Sequence, residues 1–406
     1  MDTPQQPADT DVVGTGVLGL TPASDSGGGS GGPDWKKLLV KLGPLIGLVF
    51  VWLLFATQMG DRFINIESQK EILRQSSVVG IAALGATLII IAGGIDLSVG
   101  STIALVSMVV AKILRDTNMD PALAVFLGIL AAALCGLAIG SMIVGHLGRV
   151  IAVVAGLFVG LLWLPSTGMN YVFAVPIGFA VAAVLWFAAQ LTIRNLKLAP
   201  FIVTLGMMGI IRGLAKMINA YGNDQPSPQI SPGRETWVQG IGRYLDFWPM
   251  SWFPVSVCVF FVLAVVTALM LRYTRFGRHI YAIGSNEETA RLCGVNIART
   301  KILIYTLGIG FAGVAGVVLF AKIGQGNATE AVGYELAVIA AVVIGGASLS
   351  GGEGSIFGTV IGALIMQVVI FGCGKMQMDQ YVQEIITGGI IVAAVALDQL
   401  RHRRAT

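Results

Sequence analysis

Long apolar runs alternate with short polar or glycine-containing stretches from residue 37 to residue 399. A helix that spans a membrane needs about 20 mostly apolar residues, so this pattern predicts an all-α polytopic membrane protein with about 10–12 transmembrane helices. The lower number applies if some of the segments are half-helices. The candidate segments are 37–57, 70–94, 96–114, 121–145, 150–165, 172–192, 199–218, 253–272, 301–321, 335–350, 354–373 and 381–399.

The positive charges between these segments predict how the chain is oriented, because cytoplasmic loops carry an excess of Lys and Arg. The loop 273–300 carries four arginines, whereas the loop 219–252 balances its arginines with acids. Lysines flank the first segment, and the stretch 401–404 is basic. This bias places both termini and the loop 273–300 in the cytoplasm, and the loop 219–252 outside.

The two ends of the chain differ in composition from the part between them. Residues 1–33 are rich in Asp, Pro, Ser and Gly, which predicts a disordered cytoplasmic tail. They contain no apolar core of a cleavable signal peptide, so the first apolar segment is expected to act as an uncleaved anchor. Residues 34–400 form the transmembrane domain, and residues 401–406 form a basic cytoplasmic tail.

Composition narrows the class of function. Hydrophobic residues make up 55% of the chain and charged residues 12%, against about 25% charged residues in soluble domains. The net charge of +4 suggests contact with an anionic lipid leaflet rather than with nucleic acid. The chain has no G-x-x-x-x-G-K-[ST] phosphate loop and no metal-like spacing of its four cysteines and three histidines. We therefore expect that this chain holds no cofactor and is not an enzyme.

Two short glycine-containing stretches repeat one pattern. Residues 93–100 read "GGIDLSVG", residues 345–352 read "GGASLSGG", and both follow an apolar run. An internal duplication with one helix break in each half is typical of transporters and points to the translocation path. Chance similarity, or two ordinary tight turns, is the alternative. The predicted path residues are Gly93, Gly94, Asp96, Ser98, Gly100, Thr204, Gly345, Gly346, Ser348 and Ser350.

Three charged residues in or near these segments have more than one interpretation. Asp96 is predicted to cap the helix that begins at Leu97; contact with substrate, or a role in gating or subunit contact, is the alternative. Arg212 extends to the outer interface or pairs with an acid such as Glu335 or Asp96. Glu353 belongs to a flexible turn, or else to a cytoplasmic contact or an inner gate.

The predicted cytoplasmic loop carries a short amphipathic helix over residues 286–293. Ser285 and Glu288 have the S-x-x-E spacing of a capping box, and Gly294 is a helix stop. Such a helix is either an ordinary solvated helix or a docking element for a cytosolic partner.

The spacing Glu288-Thr289-Ala290-x-x-x-Gly294 resembles the E-A-A-x-x-x-G loop of ABC importer permeases. The surrounding "FGRHIYAIGSNEETARLCGVNIARTK" is similar to the same loop of ribose- and xylose-type sugar permeases. The resemblance extends to "GGIDLSVGS", "PFIVTLGMMGIIRGLA" and "ELAVIAAVVIGGASLSGGEGSIFGTVIGA", in family order, and covers roughly residues 70–399.

This resemblance implies the permease subunit of a binding-protein-dependent sugar importer in the cytoplasmic (inner) membrane, with a fold similar to that of vitamin-B12-type importers. It implies three partners: a cytosolic ATPase subunit that binds ATP, a periplasmic or lipid-anchored sugar-binding protein, and a second permease copy. By family role, the coupling helix that fits a groove on the ATPase contains Glu287, Glu288, Ala290, Arg291 and Gly294.

The chain also departs from the family pattern. About forty additional residues, including 150–192, precede "PFIVTLG", and they predict an inserted helix pair with Leu164–Asn170 as its outside turn.

Two other classes of function remain. A stand-alone secondary transporter would require coupling groups inside the membrane, for which few candidates exist beyond Asp96 and Glu353. A membrane-embedded enzyme would require a polar catalytic cluster, which the histidines do not form.

Overall fold

The structure is a computed structural model that describes residues 35–158, 171–192, 198–220, 236–241 and 254–403. Its described part contains sixteen α-helices, and a π-helical turn at Met142–His146 joins the fifth to the sixth. The helices are α1 Trp35–Met59, α2 Asp61–Ile64, α3 Ile66–Ile91, α4 Val99–Asp116, α5 Pro121–Ser141, α6 Leu147–Phe158, α7 Tyr171–Thr192, α8 Pro200–Ala220, α9 Trp237–Ile241, α10 Val255–Tyr273, α11 Arg275–Ser285, α12 Glu287–Leu292, α13 Ile297–Ile323, α14 Tyr334–Ile344, α15 Ile356–Lys375 and α16 Gln380–Arg403.

Within the described residues, each of the twelve predicted apolar segments overlaps a helix, which confirms an all-α polytopic membrane protein. The predicted segment 335–350 is too long, because α14 ends at Ile344 and a glycine-containing loop follows it. The short helices α2, α9, α11 and α12 lie between the apolar segments. The predicted tail 1–33 and the turn Leu164–Asn170 lie outside the described residues.

Among the described residues, six helical stretches are long and apolar enough to cross a membrane: Ile66–Ile91, Pro121–Gly156, Pro200–Ile218, Val255–Tyr273, Ile297–Ile323 and Ile356–Lys375. Four shorter apolar helices accompany them: Gly43–Met59, Pro176–Leu185, Tyr334–Ile344 and Gln380–Ala396. Large apolar side chains remain exposed on the outer helices, for example Phe50 on α1, Phe126 on α5 and Val262 on α10. This outward-facing apolar surface is what a helix bundle in lipid requires.

Helix α3 forms the centre of the bundle, because its side chains from Ser76 to Ile91 are buried on all faces. It approaches its neighbours closely where it has glycine. Gly85 lies against the backbone of Gly308 on α13, and Gly80 lies against the ring of Phe260 on α10. Small residues at such crossings allow close packing between membrane helices.

Buried polar side chains connect α3 to α15. The hydroxyl groups of Thr87 and Thr359 are 2.7 Å apart, and the side-chain amide of Gln367 donates to that of Gln75 at 2.7 Å. Polar residues that pair in this way hold membrane helices together, because neither partner finds a substitute in hydrocarbon.

Helices α6 and α7 pack against each other where an inserted pair was predicted. Gly156 of α6 lies against the backbone and side chain of Ala182 and against the carbonyl of Gly178 on α7. The two helices therefore form a close pair, while the prediction that the pair is an insertion stays a prediction.

Candidate functional site

The first helix break, residues 92–98, separates α3 from α4. Gly93 has φ +77°, its amide donates to the carbonyl of Ile90 at 2.9 Å, and the amide of Gly94 donates to that of Ile89 at 2.9 Å. These two hydrogen bonds form a Schellman motif, in which a glycine with positive φ ends the helix. The pair Gly93 and Gly94 therefore ends α3 inside the bundle.

Asp96 lies in the first break with only 3% of its surface exposed. Its Oδ1 accepts from the backbone amide of Ser98 at 2.8 Å and from the hydroxyl of Ser98 at 2.7 Å. This is an Asx turn. The helix α4 begins at Val99 and not at Leu97, with Ser98 as its N-cap residue. The predicted direct cap by Asp96 is therefore wrong in detail, because the carboxylate holds the turn before the helix rather than an amide of its first turn.

Two buried polar atoms near this turn have no hydrogen-bond partner in the described part of the chain. They are Oδ2 of Asp96 and the hydroxyl of Tyr305. The Tyr305 hydroxyl, on α13, lies directly against Gly94, where a β-carbon would collide with it. Buried polar groups are nearly always paired, so two unpaired groups at one break mark this position as unusual. Sequence reasoning missed Tyr305, although a tyrosine within an apolar run is a detectable signal.

Thr204 is the predicted path residue on α8, and the structure brings it to the first break. Its hydroxyl is within 3.2 Å of the carbonyl of Ile95 and of the carbonyl of Phe201, and the side chain is buried. Gly100, in the first turn of α4, lies against the carbonyl of Ala331 and against Oε2 of Glu335. Both residues therefore contact elements other than their own helix.

Arg212 pairs with backbone carbonyls rather than with an acid, and its predicted position at the outer interface stays a prediction. Its Nη1 donates to the carbonyls of Ala328 and Glu330 at 3.0 and 2.8 Å, in the loop before α14. Neither Glu335 nor Asp96 lies within ion-pair distance of it. The guanidinium fits this role because it presents several donors in a fixed geometry.

The second break, residues 345–355, separates α14 from α15 and has the same two features as the first break, a glycine helix stop and a side-chain turn. Gly346 has φ +89°, its amide donates to the carbonyl of Val343, and the amide of Ala347 donates to that of Val342. The hydroxyl of Ser348 then accepts from the amide of Ser350 at 3.2 Å. A helix stop followed by a side-chain turn thus occurs in both breaks, as the internal duplication predicts.

The structural match between the breaks differs by one residue from the sequence match. The sequence pairs Gly93 with Gly345, but the glycine with positive φ that ends the helix is Gly346 in the second break. The turns keep the sequence pairing, since Asp96 and Ser348 both accept an amide two residues ahead. Gly345 instead provides a close crossing, because its Cα faces the backbone of Gly358 on α15.

The second break also contacts the last helix. The Ser348 hydroxyl is 3.2 Å from Oδ2 of Asp398 on α16. Glu353 is exposed, and its carbonyl accepts the amide of Ser348 at 3.2 Å. The segment around Glu353 is therefore held by backbone hydrogen bonds.

The predicted docking helix is α12, and its N-terminus differs from the prediction. Ser285 is the last residue of α11, and the N-cap of α12 is Asn286, whose side chain accepts the amide of Thr289 at 2.8 Å. The predicted Ser285–Glu288 capping box is therefore wrong, because α11 continues through Ser285. The predicted stop is confirmed: Gly294 has φ +84°, and its amide donates to the carbonyl of Arg291 at 3.0 Å.

Helix α12 has one buried and one exposed face. Ala290 is 4% exposed and packs with Ile283 and Ile297. Glu287 is held in place by Lys301, 2.6 Å away, and by Arg291, 3.3 Å away. Glu288, Arg291, Leu292 and Gly294 lie on the exposed side, where Leu292 is 85% exposed. Leu292 is therefore the large apolar side chain that α12 exposes beside these charges.

Comparison with known proteins places this architecture among transport proteins. The family model described as "Branched-chain amino acid transport system / permease component" matches residues 69–146 and 144–395. A ribose import permease protein of Bacillus subtilis is 32% identical over 362 residues, covering 89% of this chain and 94% of the relative. A galactose/methyl galactoside import permease protein of Salmonella typhimurium is 32% identical over 367 residues, covering 90% and 96%. A probable ABC transporter permease protein of Escherichia coli is 32% identical over 366 residues, covering 90% and 91%.

No solved structure matches the chain. The similarity to the vitamin-B12-type importer fold therefore stays a prediction. The resemblance to sugar permeases, which the sequence motifs carried, is confirmed by these relatives.

Proposed function

Because this chain belongs to the branched-chain amino acid transport system permease family, we propose that it is the membrane subunit of an ATP-driven importer of a monosaccharide. The substrate is a small neutral sugar similar to ribose or xylose, which crosses the cytoplasmic membrane by alternating access. Relatives named as import permeases for ribose, galactose and fructose support the substrate class.

The observation that carries the proposal is the pair of matched helix breaks inside the bundle. A helix break frees backbone groups that must be buried in protein or line a cavity, and paired breaks in two halves of a transporter mark the substrate path. In this chain a glycine with positive φ ends the helix before each break, and a side-chain turn follows that glycine. The breaks are therefore built as repeated, defined elements.

The proposal includes three partners and one orientation. A cytosolic ATPase subunit binds ATP and docks on α12, which is exposed, capped and joined to two longer helices. A periplasmic or lipid-anchored binding protein delivers the sugar, and a second permease copy completes the path. Both termini are cytoplasmic, in keeping with the arginine-rich segment around α11 and α12.

A stand-alone secondary transporter is the second candidate, and one observation favours it. Asp96 is a buried carboxylate with an unpaired oxygen, and intramembrane acids serve as coupling groups in ion-driven transporters. That candidate gives no role to the exposed surface of α12.

One reconstitution separates the two candidates. The chain is placed in vesicles with or without a partner ATPase and a sugar-binding protein from the same organism, and uptake of labelled ribose, xylose and galactose is measured. The proposal expects uptake only when both partners and ATP are present. Uptake by the chain alone, driven by a proton or sodium gradient, would contradict it.

A further inference from the structure

Three segments that are far apart in sequence meet through their backbones next to α12. They are the first break, the end of α11 and the second break. The amide of Gly352 donates to the carbonyl of Ile91 at 2.8 Å, and this bond joins the second break to the last residue of α3, directly before the first break. We call Gly93, Gly284, Gly351 and Gly352 the glycine junction.

Gly284 lies at the centre of the glycine junction. A β-carbon at this position would collide with the carbonyl oxygen of Ile91 and would lie 2.5 Å from the amide nitrogen of Gly352. A β-carbon at Gly351 would lie 2.8 Å from the carbonyl oxygen of Gly284 and 3.0 Å from Cα of Gly93. All of these atoms belong to the backbone, so no side chain can rotate to absorb a displacement.

A second contact ties α11 to the second break. The hydroxyl of Tyr281, one helical turn before Gly284, donates to the carbonyl of Gly354 at 2.8 Å. Gly352 also packs against the backbone of Ser285, the last residue of α11. Only Asn286 separates α11 from α12, so the proposed docking helix is next to the junction in the chain as well as in space.

We propose that the glycine junction transmits the movement of α12 to both helix breaks at once, with Gly284 as its positioning residue. The proposal rests on the proposed function, because it requires that a partner ATPase moves α12. Close-packed interiors transmit displacement because they deform little. A rigid contact shared by both breaks makes them change together, as alternating access requires.

The test is Gly284→Ala in the complete complex of permease, ATPase and binding protein, reconstituted in vesicles. We expect the variant to assemble with the ATPase and to hydrolyse ATP, while the sugar transported per ATP falls about tenfold, within the usual range of coupling between sites. Gly310→Ala on α13 is the matched control, because a β-carbon there meets no atom within 4 Å. Alanine is the stronger helix former, so any loss specific to position 284 arises from the contact and not from helix propensity.

Unchanged sugar transport per ATP in Gly284→Ala would overturn the proposal. If this variant does not accumulate, Tyr281→Phe decides, since it removes one hydrogen bond between α11 and the second break and adds no volume. Reduced sugar transport per ATP with normal ATPase binding then supports the junction, and unchanged transport refutes it. Failure of the proposed function is distinguishable, because the wild-type complex itself would then show no ATP-dependent uptake.

Discussion

Replacing Asp96 by alanine is expected to destabilise the fold, whereas replacing it by asparagine is not. The alanine variant leaves the amide and the hydroxyl of Ser98 without their acceptor, at a position where Ser98 is fully buried. The asparagine variant keeps an oxygen for both donors and places an NH₂ group where Oδ2 now has no partner.

The magnitudes separate the two variants. A buried donor without its acceptor costs about 1–3 kcal/mol, so the alanine variant loses about 2–6 kcal/mol from the two donors. This is a large part of the roughly 5–15 kcal/mol that stabilises a typical folded protein. Asparagine weakens two hydrogen bonds that now go to a charged acceptor, by about 1 kcal/mol each. It also leaves its own NH₂ group unpaired, at about 1–3 kcal/mol, but it removes a buried charge, whose burial costs several kcal/mol, so the net change is close to zero.

The assay is thermal unfolding of the detergent-purified protein, together with the amount of folded protein recovered from membranes. At about 2 °C for each kcal/mol, the alanine variant should unfold at least about 4 °C below the wild type. The asparagine variant should unfold with the wild type. An alanine variant as stable as the wild type would refute the reasoning, because it would mean that the Asx turn contributes nothing.

Three further predictions follow from single contacts. Asn286→Ala should speed amide hydrogen exchange in α12 about fivefold, because the lost N-cap contributes about 1 kcal/mol, while Ser285→Ala should not change the exchange rate. Equal effects of the two substitutions would support the predicted Ser285–Glu288 capping box instead. Leu292→Ala should leave thermal stability unchanged and weaken ATPase binding about 10- to 100-fold in a titration, since burying a leucine contributes about 1.5–3 kcal/mol; unchanged binding would remove Leu292 from the docking surface. Thr87→Val and Thr359→Val should show a coupling energy of about 0.5–1.5 kcal/mol in a double-mutant cycle of unfolding temperatures, and additive effects would show that their contact is not stabilising.

Hydrophobic runs predicted the apolar helices because membrane helices are recognisable by their length and composition. Helix ends were harder, since they depend on local competition. Ser285 and Asn286 are both good caps, and the choice between them follows from the extension of α11 to Ser285. The end of α14 at Ile344 depends on the glycine stop, which an apolar count passes over.

The candidate path was predictable only in its local parts. The repeated glycine pattern predicted both breaks, because the hydrogen bonds that end a helix involve residues that are close in sequence. The contact of Gly352 with Ile91, and the position of Tyr305 against Gly94, join residues from distant segments. No local pattern encodes such contacts, since they arise when the helices pack. For this reason, nothing in the residues around Gly284 predicts its contact with Ile91 and Gly352.

Comparison of the two breaks separates the turn at Asp96 from its charge. The second break makes the same turn with the hydroxyl of Ser348, so an uncharged acceptor is sufficient to hold it. A carboxylate supplies the acceptor at the additional cost of a buried oxygen that has no partner in the described structure. Intramembrane charges are costly, and a cheaper side chain performs the structural role in the same protein. The turn at residues 96–98 therefore does not require a charged acceptor, and the asparagine variant, which keeps the turn and loses the charge, tests the two contributions separately.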